Sequence, residues 1–246
     1  MYKVAIIDDE PIIVKGLSKS VDWEKFSCEV IGTAFSGEEG LELIRSKEPD
    51  IVFTDIRMPC MDGLTMIAAI KSEFPGTQIA ILTGYRDFEY ARQAISLGVT
   101  RFLLKPSKLD EIMEALQAMT EKLQPADEML SADLEISDNT AGSFIAKNAV
   151  AYIEEHYKEK LKLSDVADQV YVSQWHLSKL LNRYMGQNFS EILNNVRINK
   201  AKELLKDPSL RIGDIADEVG FLDMAHFSRV FKKLVGISAN EYRNQL

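Results

Sequence analysis

Five short apolar segments, each followed by a stretch with helical periodicity, restrict the fold of this chain more than any other feature. They are KVAII, EVIGTA, IVFT, QIAIL and RFLL, all in the first half of the sequence. Strands that alternate with amphipathic helices form parallel sheets, because each crossover helix returns the chain to the same edge and covers one face. The first half is therefore predicted to be an α/β domain with a doubly wound, five-stranded parallel sheet.

Capping and turn residues support this order of elements. Ser36 followed by Glu39 is the pattern of a capping box at the start of the second helix. Asp62 and Gly63 mark a turn before the third helix.

Polar residues stand at the carboxyl ends of four of the five strands. Asp8 and Asp9 follow the first strand, Asp55 the third, Thr83 the fourth and Lys105 the fifth. In open parallel sheets these ends share one edge, where ligands bind. Three carboxylates that meet raise one another's pKa, and a hard cation such as Mg²⁺ relieves that repulsion. A hydroxyl and a lysine at the same edge suit a phosphoryl group, which an aspartate oxygen can accept in line.

Two alternatives remain open for these residues. Taken singly, the aspartates could cap helices or loops and the lysine could be a surface charge, although this gives no reason for their shared edge. Asp nucleophiles with Mg²⁺ also serve phosphohydrolases on α/β sheets. Such enzymes generally need a second carboxylate two residues after the nucleophile, and that position is Arg57 here.

Four motifs, IIDDEP, DIRMPCMDG, ILTGY and FLLKP, resemble in their order the receiver domain of two-component response regulators, over residues 3 to about 122. The resemblance implies a flavodoxin-like fold and a phosphoryl group accepted on Asp55 from a histidine kinase. It implies no enzymatic activity beyond Mg²⁺-dependent self-phosphorylation from a phosphodonor. Thr83 and Lys105 would bind the phosphoryl oxygens. The implied Mg²⁺ ligands are Asp8 (through a water), Asp9, Asp55 and the backbone carbonyl of Arg57.

The same resemblance implies a switch formed by Thr83 and Phe102. In the family, phosphorylation draws the threonine inward and an aromatic residue on the last strand rotates. Phe102 stands where many relatives have tyrosine, so steric coupling can remain without a hydroxyl contact, and it can equally be a core residue. Arg57 and Tyr85 are expected to flank the phosphoryl group. Candidates for a homodimer surface, each of which could instead be core, are Ala91, Ile95, Leu97, Phe102 and Leu116.

Charge divides the chain into three parts. Residues 1–124 carry 14 Lys and Arg against 20 Asp and Glu, residues 125–143 none against five, and residues 144–246 15 against 13. The net charge of −9 argues against nucleic-acid binding when the chain is taken as a whole, but residues 144–246 taken alone do not carry that negative charge. The middle part is acidic, rich in small polar residues and poor in periodicity, which predicts a linker or irregular connection. The predicted domains are thus 1–124 and 144–246, joined by an acidic linker at 125–143.

The last part contains an internal repeat. LSDVADQVYVSQWHLSKLLNRYMGQNFSEIL, from Leu163, matches IGDIADEVGFLDMAHFSRVFKKLVGISANEY, from Ile212, at an offset of 49 that becomes 50 after the turn. Each copy predicts a short helix, a tight turn and a longer helix, with Ser173 as an N-cap and Gly186 or Gly236 at the end. This all-α arrangement is the helix-turn-helix, whose second helix lies in the major groove of DNA.

Both longer helices are basic. The segments 172–185 and 224–235 contain Lys, Arg and His but no acid, which suits phosphate contacts. A helical protein-interaction domain is the alternative, and it gives no reason for this charge pattern. Between the copies, NFSEILNNVRINKAKELLKD predicts a helix of about 19 residues and ~28 Å, close to one turn of duplex DNA at ~34 Å.

The motifs RINKAKELL, IADEVGF, HFSRVFKK and GISANEYR resemble the AraC family DNA-binding domain over residues 144–246. Ala239 and Leu222 depart from the family, which usually has proline and often a more polar residue there. By resemblance, the residues that face DNA are Gln174, Trp175, His176, Lys179 and Arg183 in the first copy, and Asp223, Met224, His226, Arg229, Lys232 and Lys233 in the second.

Taken together, these patterns predict a phosphorylation-activated transcriptional regulator. Its expected partners are a sensor histidine kinase, double-stranded promoter DNA and, once phosphorylated, a second copy of itself. The N-terminus lacks the pattern of a signal peptide and no window approaches the ~18 apolar residues of a membrane span, so a cytoplasmic location without membrane contact is expected. A ligand-sensing regulator with a silent receiver is a further alternative, which the complete set of Asp, Thr and Lys residues disfavours.

Overall fold

The computed structural model describes residues 1–85, 87–124 and 131–245, and for residues 131–139 the backbone alone. The chain divides into two compact units, Met1–Phe144 and Ile145–Leu246.

The first unit contains one parallel sheet of five strands in the order β2-β1-β3-β4-β5. Its strands are β1 (Tyr2–Ile7), β2 (Cys28–Ala34), β3 (Ile51–Thr54), β4 (Gln78–Thr83) and β5 (Arg101–Leu104). The helices between and after them are α1 (Pro11–Ser20), α2 (Gly37–Lys47), α3 (Gly63–Glu73), α4 (Phe88–Ser96) and α5 (Leu109–Leu123), and a short 3₁₀ helix covers Glu24–Phe26. The predicted doubly wound α/β fold is confirmed.

The apolar strand segments are continuous because the sheet is covered on both faces. All four residues of β3 are buried, and Phe53 packs edge-on against Trp23 with ring centroids 5.8 Å apart. Leu116 and Met119 of α5 belong to the same core as Ile51 and Phe53. In β3, burial on both faces leaves no exposed position within the strand, so the acidic Asp55 follows only where the chain leaves the sheet.

The loop after β3 folds back tightly onto the sheet. Asp62 caps α3 by accepting a hydrogen bond from the N–H of Thr65 at 2.7 Å. A Cβ at Gly63 would lie 2.0 Å from the carbonyl oxygen of Asp55, so a residue without a side chain is required there. The loop therefore holds the end of β3 in a fixed position.

The capping box at α2 differs in one bond from the expected pattern. The Ser36 hydroxyl accepts from the N–H of Glu39 at 3.2 Å, as predicted. The Glu39 carboxylate, however, accepts from the N–H of Phe35 at 3.0 Å, one residue before the cap.

The second unit is all-α. Its helices are the later part of α6 (Ser131–His156), then α7 (Leu163–Gln169), α8 (Gln174–Met185), α9 (Phe189–Leu204), α10 (Ile212–Glu218), α11 (Met224–Val235) and α12 (Ala239–Arg243). Residues 131–143, predicted as part of a linker or irregular connection, form the start of α6, whereas residues 125–130 of that segment lie outside the described residues.

The internal repeat has the predicted structure. Helices α7 and α10 each have seven residues at an offset of 49, and α8 and α11 each have twelve at an offset of 50. The added residue lies in the second turn. Both turns contain a left-handed residue, Tyr171 with φ 57° in the first and Gly220 with φ 88° in the second. Gly186 and Gly236 end the longer helices, also with positive φ.

Helix α9 is shorter than predicted and has an unexpected buried charge. It has 16 residues, about 24 Å at ~1.5 Å per residue, because it ends at Leu204.

Arg197 is only 8% exposed. Its guanidinium donates to the carbonyls of Tyr157 and Glu159, each at 2.8 Å, and lies 5.6 Å from the ring centroid of Phe221. Burial lowers the pKa of Arg197, and the two carbonyls replace the lost water.

Candidate functional site

The three predicted carboxylates meet at one edge of the sheet. Because Ile7 of β1 is paired with Thr54 of β3, the next residues, Asp8 and Asp55, leave the sheet side by side. One carboxylate oxygen from each of Asp8, Asp9 and Asp55 lies within 4.8 Å of the others. Asp8 and Asp55 are buried, at 3% and 5% exposure, whereas Asp9 is exposed. This cluster has the oxygen ligands and the opening to solvent that a hard metal ion requires.

Lys105 lies among these carboxylates. Its Nζ is 2.7 Å from Asp8 Oδ2, 2.8 Å from Asp55 Oδ2 and 3.2 Å from Glu10 Oε1. The pairing of Thr83 with Leu104 brings the end of β5 to the same edge. Glu10 was not among the predicted site residues, although its position next to Asp8 and Asp9 was a usable signal.

The electrostatics of the pocket show an excess of negative charge. Burial raises the pKa of Asp8, although the hydrogen bonds from Lys105 and from the N–H of Glu10 oppose the rise. Burial alone would lower the pKa of Lys105, but its hydrogen bonds and ion pairs with Asp55 and Asp8 outweigh that effect and raise it. Three carboxylates therefore share the Lys105 ammonium, and Asp9 adds a fourth carboxylate beside them, so a divalent cation fits this donor set.

Both carboxylate oxygens of Asp55 are held by hydrogen bonds. Asp55 Oδ1 accepts from the N–H of Ile56 at 2.5 Å, and the N–H of Arg57 lies 3.4 Å from the same oxygen. Oδ2 accepts from Lys105. The two oxygens are thus oriented before any reactant arrives, which is the usual requirement for a nucleophile that acts by in-line attack.

Thr83 and Phe102 lie on neighbouring strands. Thr83 is fully buried at the end of β4, and its hydroxyl accepts from the N–H of Tyr85 at 3.4 Å. Phe102 is half-buried and is paired with Ile81, two residues before Thr83. The roles predicted for Thr83 and Phe102 stay predictions.

The predicted flanking residues Arg57 and Tyr85 are in contact. The Arg57 guanidinium carbon lies 4.2 Å from the centroid of the Tyr85 ring, and its Nε lies 3.4 Å from the hydroxyl of Tyr90. Hydrogen bonds to Tyr85 and Tyr90 raise the pKa of Arg57. Tyr90 belongs to α4 and carried no sequence signal for this contact.

The candidate dimer residues differ in burial, and two of them, Ala91 and Phe102, are half-buried. Leu97 and Leu116 are fully buried and belong to the core of the unit. Ile95 is 74% exposed, as is Phe88 at 78% on the same helix, α4.

The residues predicted to face DNA lie on the two longer helices of the second unit or immediately before them. His176 is half-buried, and the exposed ones are Gln174, Trp175, Lys179, Arg183, Asp223, Met224, His226, Arg229, Lys232 and Lys233. Trp175 is 69% exposed, and Lys179 Nζ lies 4.5 Å from its ring centroid. Two basic helices are therefore presented to solvent, each starting a few residues after a tight turn.

The N-caps of these helices differ between the copies. Ser173 accepts from the N–H of His176 at 3.2 Å, whereas Asp223 accepts from the N–H of His226 at 2.6 Å. The predicted cap at Ser173 is confirmed. The Asp223 carboxylate, predicted to face DNA, is occupied with capping its own helix.

Within the described residues, no helix combines the length and the hydropathy needed to cross a bilayer.

Comparison with known proteins gives matches to both units. Residues 4–117 match the family model for the response regulator receiver domain, and residues 166–245 match a helix-turn-helix domain model. An uncharacterized response regulatory protein of Staphylococcus epidermidis is 32% identical over 254 residues, which cover 100% of this chain and 99% of that protein. The transcriptional regulatory protein HptR of Staphylococcus aureus is 31% identical over 256 residues, with the same shares.

Among solved structures, the receiver domain of AraT, a response regulator from Geobacillus stearothermophilus, is 41% identical with a TM-score of 0.48. The matched region covers 50% of this chain and 95% of that structure. The C-terminal domain of AraT is 37% identical with a TM-score of 0.40, covering 42% of this chain and 85% of that structure.

Proposed function

The chain belongs to the response regulators, with a receiver domain followed by an AraC-type helix-turn-helix domain, and we propose that phosphorylation of Asp55 controls its binding to promoter DNA. The observation that carries the proposal is the meeting of Asp8, Asp9, Asp55 and Lys105 at one sheet edge. No role as a helix cap or surface charge requires these four side chains to lie so close together.

The proposed reaction is phosphoryl transfer from a phosphohistidine of a sensor kinase to Asp55. A carboxylate oxygen of Asp55 forms the new bond to phosphorus as the bond from phosphorus to the histidine nitrogen breaks, and that nitrogen then takes a proton from water. Lys105 leaves its carboxylate partners in part and pairs with the phosphoryl oxygens, while the Thr83 hydroxyl donates to another of them. A small phosphodonor can replace the kinase in this scheme.

The donor set fits Mg²⁺, held by Asp9, Asp55 and the Arg57 carbonyl, with Asp8 acting through a water. When bound, the ion would neutralise charge on the pocket carboxylates and on the phosphoryl oxygens. Removal of Mg²⁺ with a chelator is expected to abolish phosphorylation of Asp55.

The proposed DNA contacts use α8 and α11 in two major grooves. Lys179, Arg183, Arg229, Lys232 and Lys233 provide the positive charge for phosphates. Gln174 suits adenine and Arg229 suits guanine by bidentate hydrogen bonds, whereas Trp175 and Met224 can contact thymine methyl groups. Dimerisation after phosphorylation would place two such modules on one operator and raise their effective concentration.

The proposal includes a cytoplasmic location and the domain limits 1–124 and 144–246, with 125–143 as the linker.

The test is incubation of the whole protein with Mg²⁺ and acetyl phosphate, followed by intact mass measurement. We expect a gain of one phosphoryl group in the natural sequence and none in Asp55→Ala. An equal gain in Asp55→Ala would refute Asp55 as the acceptor. A DNA-binding measurement on the same samples tests the second half: equal affinity before and after phosphorylation would favour the alternative of a silent receiver.

A further inference from the structure

Arg57 is an unusual cation in this pocket because its guanidinium is bound by aromatic residues. Its described side-chain contacts are the ring of Tyr85 at 4.2 Å and the hydroxyl of Tyr90 at 3.4 Å. In the part of the chain that the structure describes, no carboxylate forms an ion pair with it. By contrast, Lys105 forms ion pairs with three carboxylates of the same pocket.

The base of the Arg57 side chain is next to the proposed acceptor. The backbone N–H of Arg57 lies 3.4 Å from Asp55 Oδ1, and Arg57 is exposed. Phosphorylation would therefore replace the single negative charge of the Asp55 carboxylate by a phosphoryl group with two, within reach of a guanidinium that has no anionic partner among the described residues. A guanidinium binds phosphate by two parallel, charge-assisted hydrogen bonds, which are stronger than a cation–π contact at an exposed site.

We propose that Tyr85 and Tyr90 form an aromatic clasp that holds Arg57 while Asp55 is unmodified, and that phosphorylation transfers the guanidinium from the tyrosines to the phosphoryl oxygens. The proposal rests on the function proposed above for Asp55. Tyr85 and Tyr90 are positioning residues in this scheme, since they act on the phosphoryl group through Arg57.

The clasp would connect the acceptor site to helix α4. Tyr90 is the third residue of α4 and is half-buried, so its ring position follows the position of that helix. Tyr85 precedes α4 and donates its N–H to the hydroxyl of Thr83 at 3.4 Å. Release of Arg57 thus removes one contact from the helix whose exposed residues include Phe88 and Ile95.

A clasp that competes with the phosphoryl group must lower the affinity of the pocket for that group. Part of the binding energy is used to free Arg57, as for any ligand that selects a minor conformation. Tyr90→Phe removes only the hydroxyl, so it is expected to bind the phosphoryl analogue beryllofluoride more tightly, by about twofold to tenfold for one hydrogen bond. Arg57→Gln is expected to bind it more weakly than the natural sequence.

The decisive measurement is a double-mutant cycle on the whole protein with Mg²⁺ and beryllofluoride. Tyr90→Phe should tighten binding in the natural background and leave it unchanged in the Arg57→Gln background. Tyr2→Phe, the same chemical change on the first residue of β1, is the matched control and should have no effect. Equal effects of Tyr90→Phe in both backgrounds, or weaker binding in the single variant, would overturn the proposal.

A spectroscopic readout separates the clasp from the function on which it rests. Because the Arg57 guanidinium lies 4.2 Å from the Tyr85 ring centroid, we expect its Nε–H resonance to be shifted upfield by the ring and to move downfield when Mg²⁺ and beryllofluoride are added. If beryllofluoride binds and that resonance does not move, the clasp is wrong and the acceptor site stands. If the natural sequence binds no beryllofluoride and gains no phosphoryl mass, the proposed function itself fails.

Discussion

Lys71 of α3 provides a quantitative test of the energetics of the receiver unit. The residue is 4% exposed, and its Nζ donates to the carbonyl of Thr77 at 2.8 Å. Burial, with a smaller contribution from the charge of Lys122, lowers the pKa of Lys71 from 10.5 to about 8. At 1.36 kcal/mol for each pKa unit, keeping this ammonium charged costs the folded state about 3.4 kcal/mol.

The sign of the pH dependence follows from proton binding. Between pH 8 and 10.5 the unfolded chain holds more protons on Lys71 than the folded chain, so stability rises with pH in that window. At pH 7 the charged Lys71 destabilises the folded state by the full amount. By pH 10 the free energy of unfolding should have risen by about 2.5 kcal/mol, because Lys71 in the folded state is then neutral. The variant Lys71→Met lacks this titration, so the stability of the natural sequence relative to Lys71→Met should rise by that amount.

Urea unfolding followed by Trp23 fluorescence measures this difference. The chain has two tryptophans, so a Trp175→Phe background leaves Trp23, which is buried in the core of the receiver unit, as the reporter. Lys15→Met, which removes an exposed lysine from α1, is the matched control and should show no such pH dependence relative to the natural sequence. A constant difference between the natural sequence and Lys71→Met from pH 7 to pH 10 would refute the reasoning.

Three further predictions concern the site and the DNA-binding helices. Lys105→Met should reduce phosphorylation of Asp55 by acetyl phosphate at least about tenfold, measured by intact mass, because the charge that balances the phosphoryl oxygens is lost; an unchanged rate would contradict the role of Lys105. Gly63→Ala should destabilise the receiver unit by about 3 kcal/mol in urea unfolding, since the new Cβ meets the Asp55 carbonyl at 2.0 Å; a stability within about 0.5 kcal/mol of the natural sequence would show that this approach is not fixed. Lys179→Ala and Lys232→Ala should each lower the slope of log affinity against log salt by about 0.9 for promoter DNA, and a slope equal to that of the natural sequence would mean that the lysine contacts no phosphate.

The functional residues at the strand ends were predictable because charged side chains directly follow buried apolar strands. Asp55 directly follows the buried strand Ile51–Thr54. Carboxylates are rarely buried next to a sheet, so an aspartate at this place indicates a function. The parallel topology then determines which edge these residues share. The register that brings Asp8 next to Asp55 is a consequence of the paired strands and needed the structure to become visible.

Other features had no local signal in the sequence. The burial of Arg197 depends on two carbonyls about 40 residues away, and nothing in its neighbours indicates them. Tyr90 and Arg57 are 33 residues apart in the sequence, and no local pattern around either residue indicates their contact. The early end of α9 shows that periodicity predicts helix boundaries less well than helix identity, and the helical state of residues 131–143 shows that an acidic, weakly periodic composition can conceal a helix.

The bonds of Arg197 tie the segment after α6 to the second helix-turn-helix unit. Residues 157 and 159 accept its hydrogen bonds, Lys158 between them forms an ion pair with Glu218 of α10, and a Cβ on Gly220 would lie 2.7 Å from the Lys158 carbonyl. Residues 157–159 are therefore bonded to α9 and α10 and packed against the second turn. As a consequence, this short segment belongs to the packing of the second helix-turn-helix unit, and substitutions in it are expected to disturb that unit.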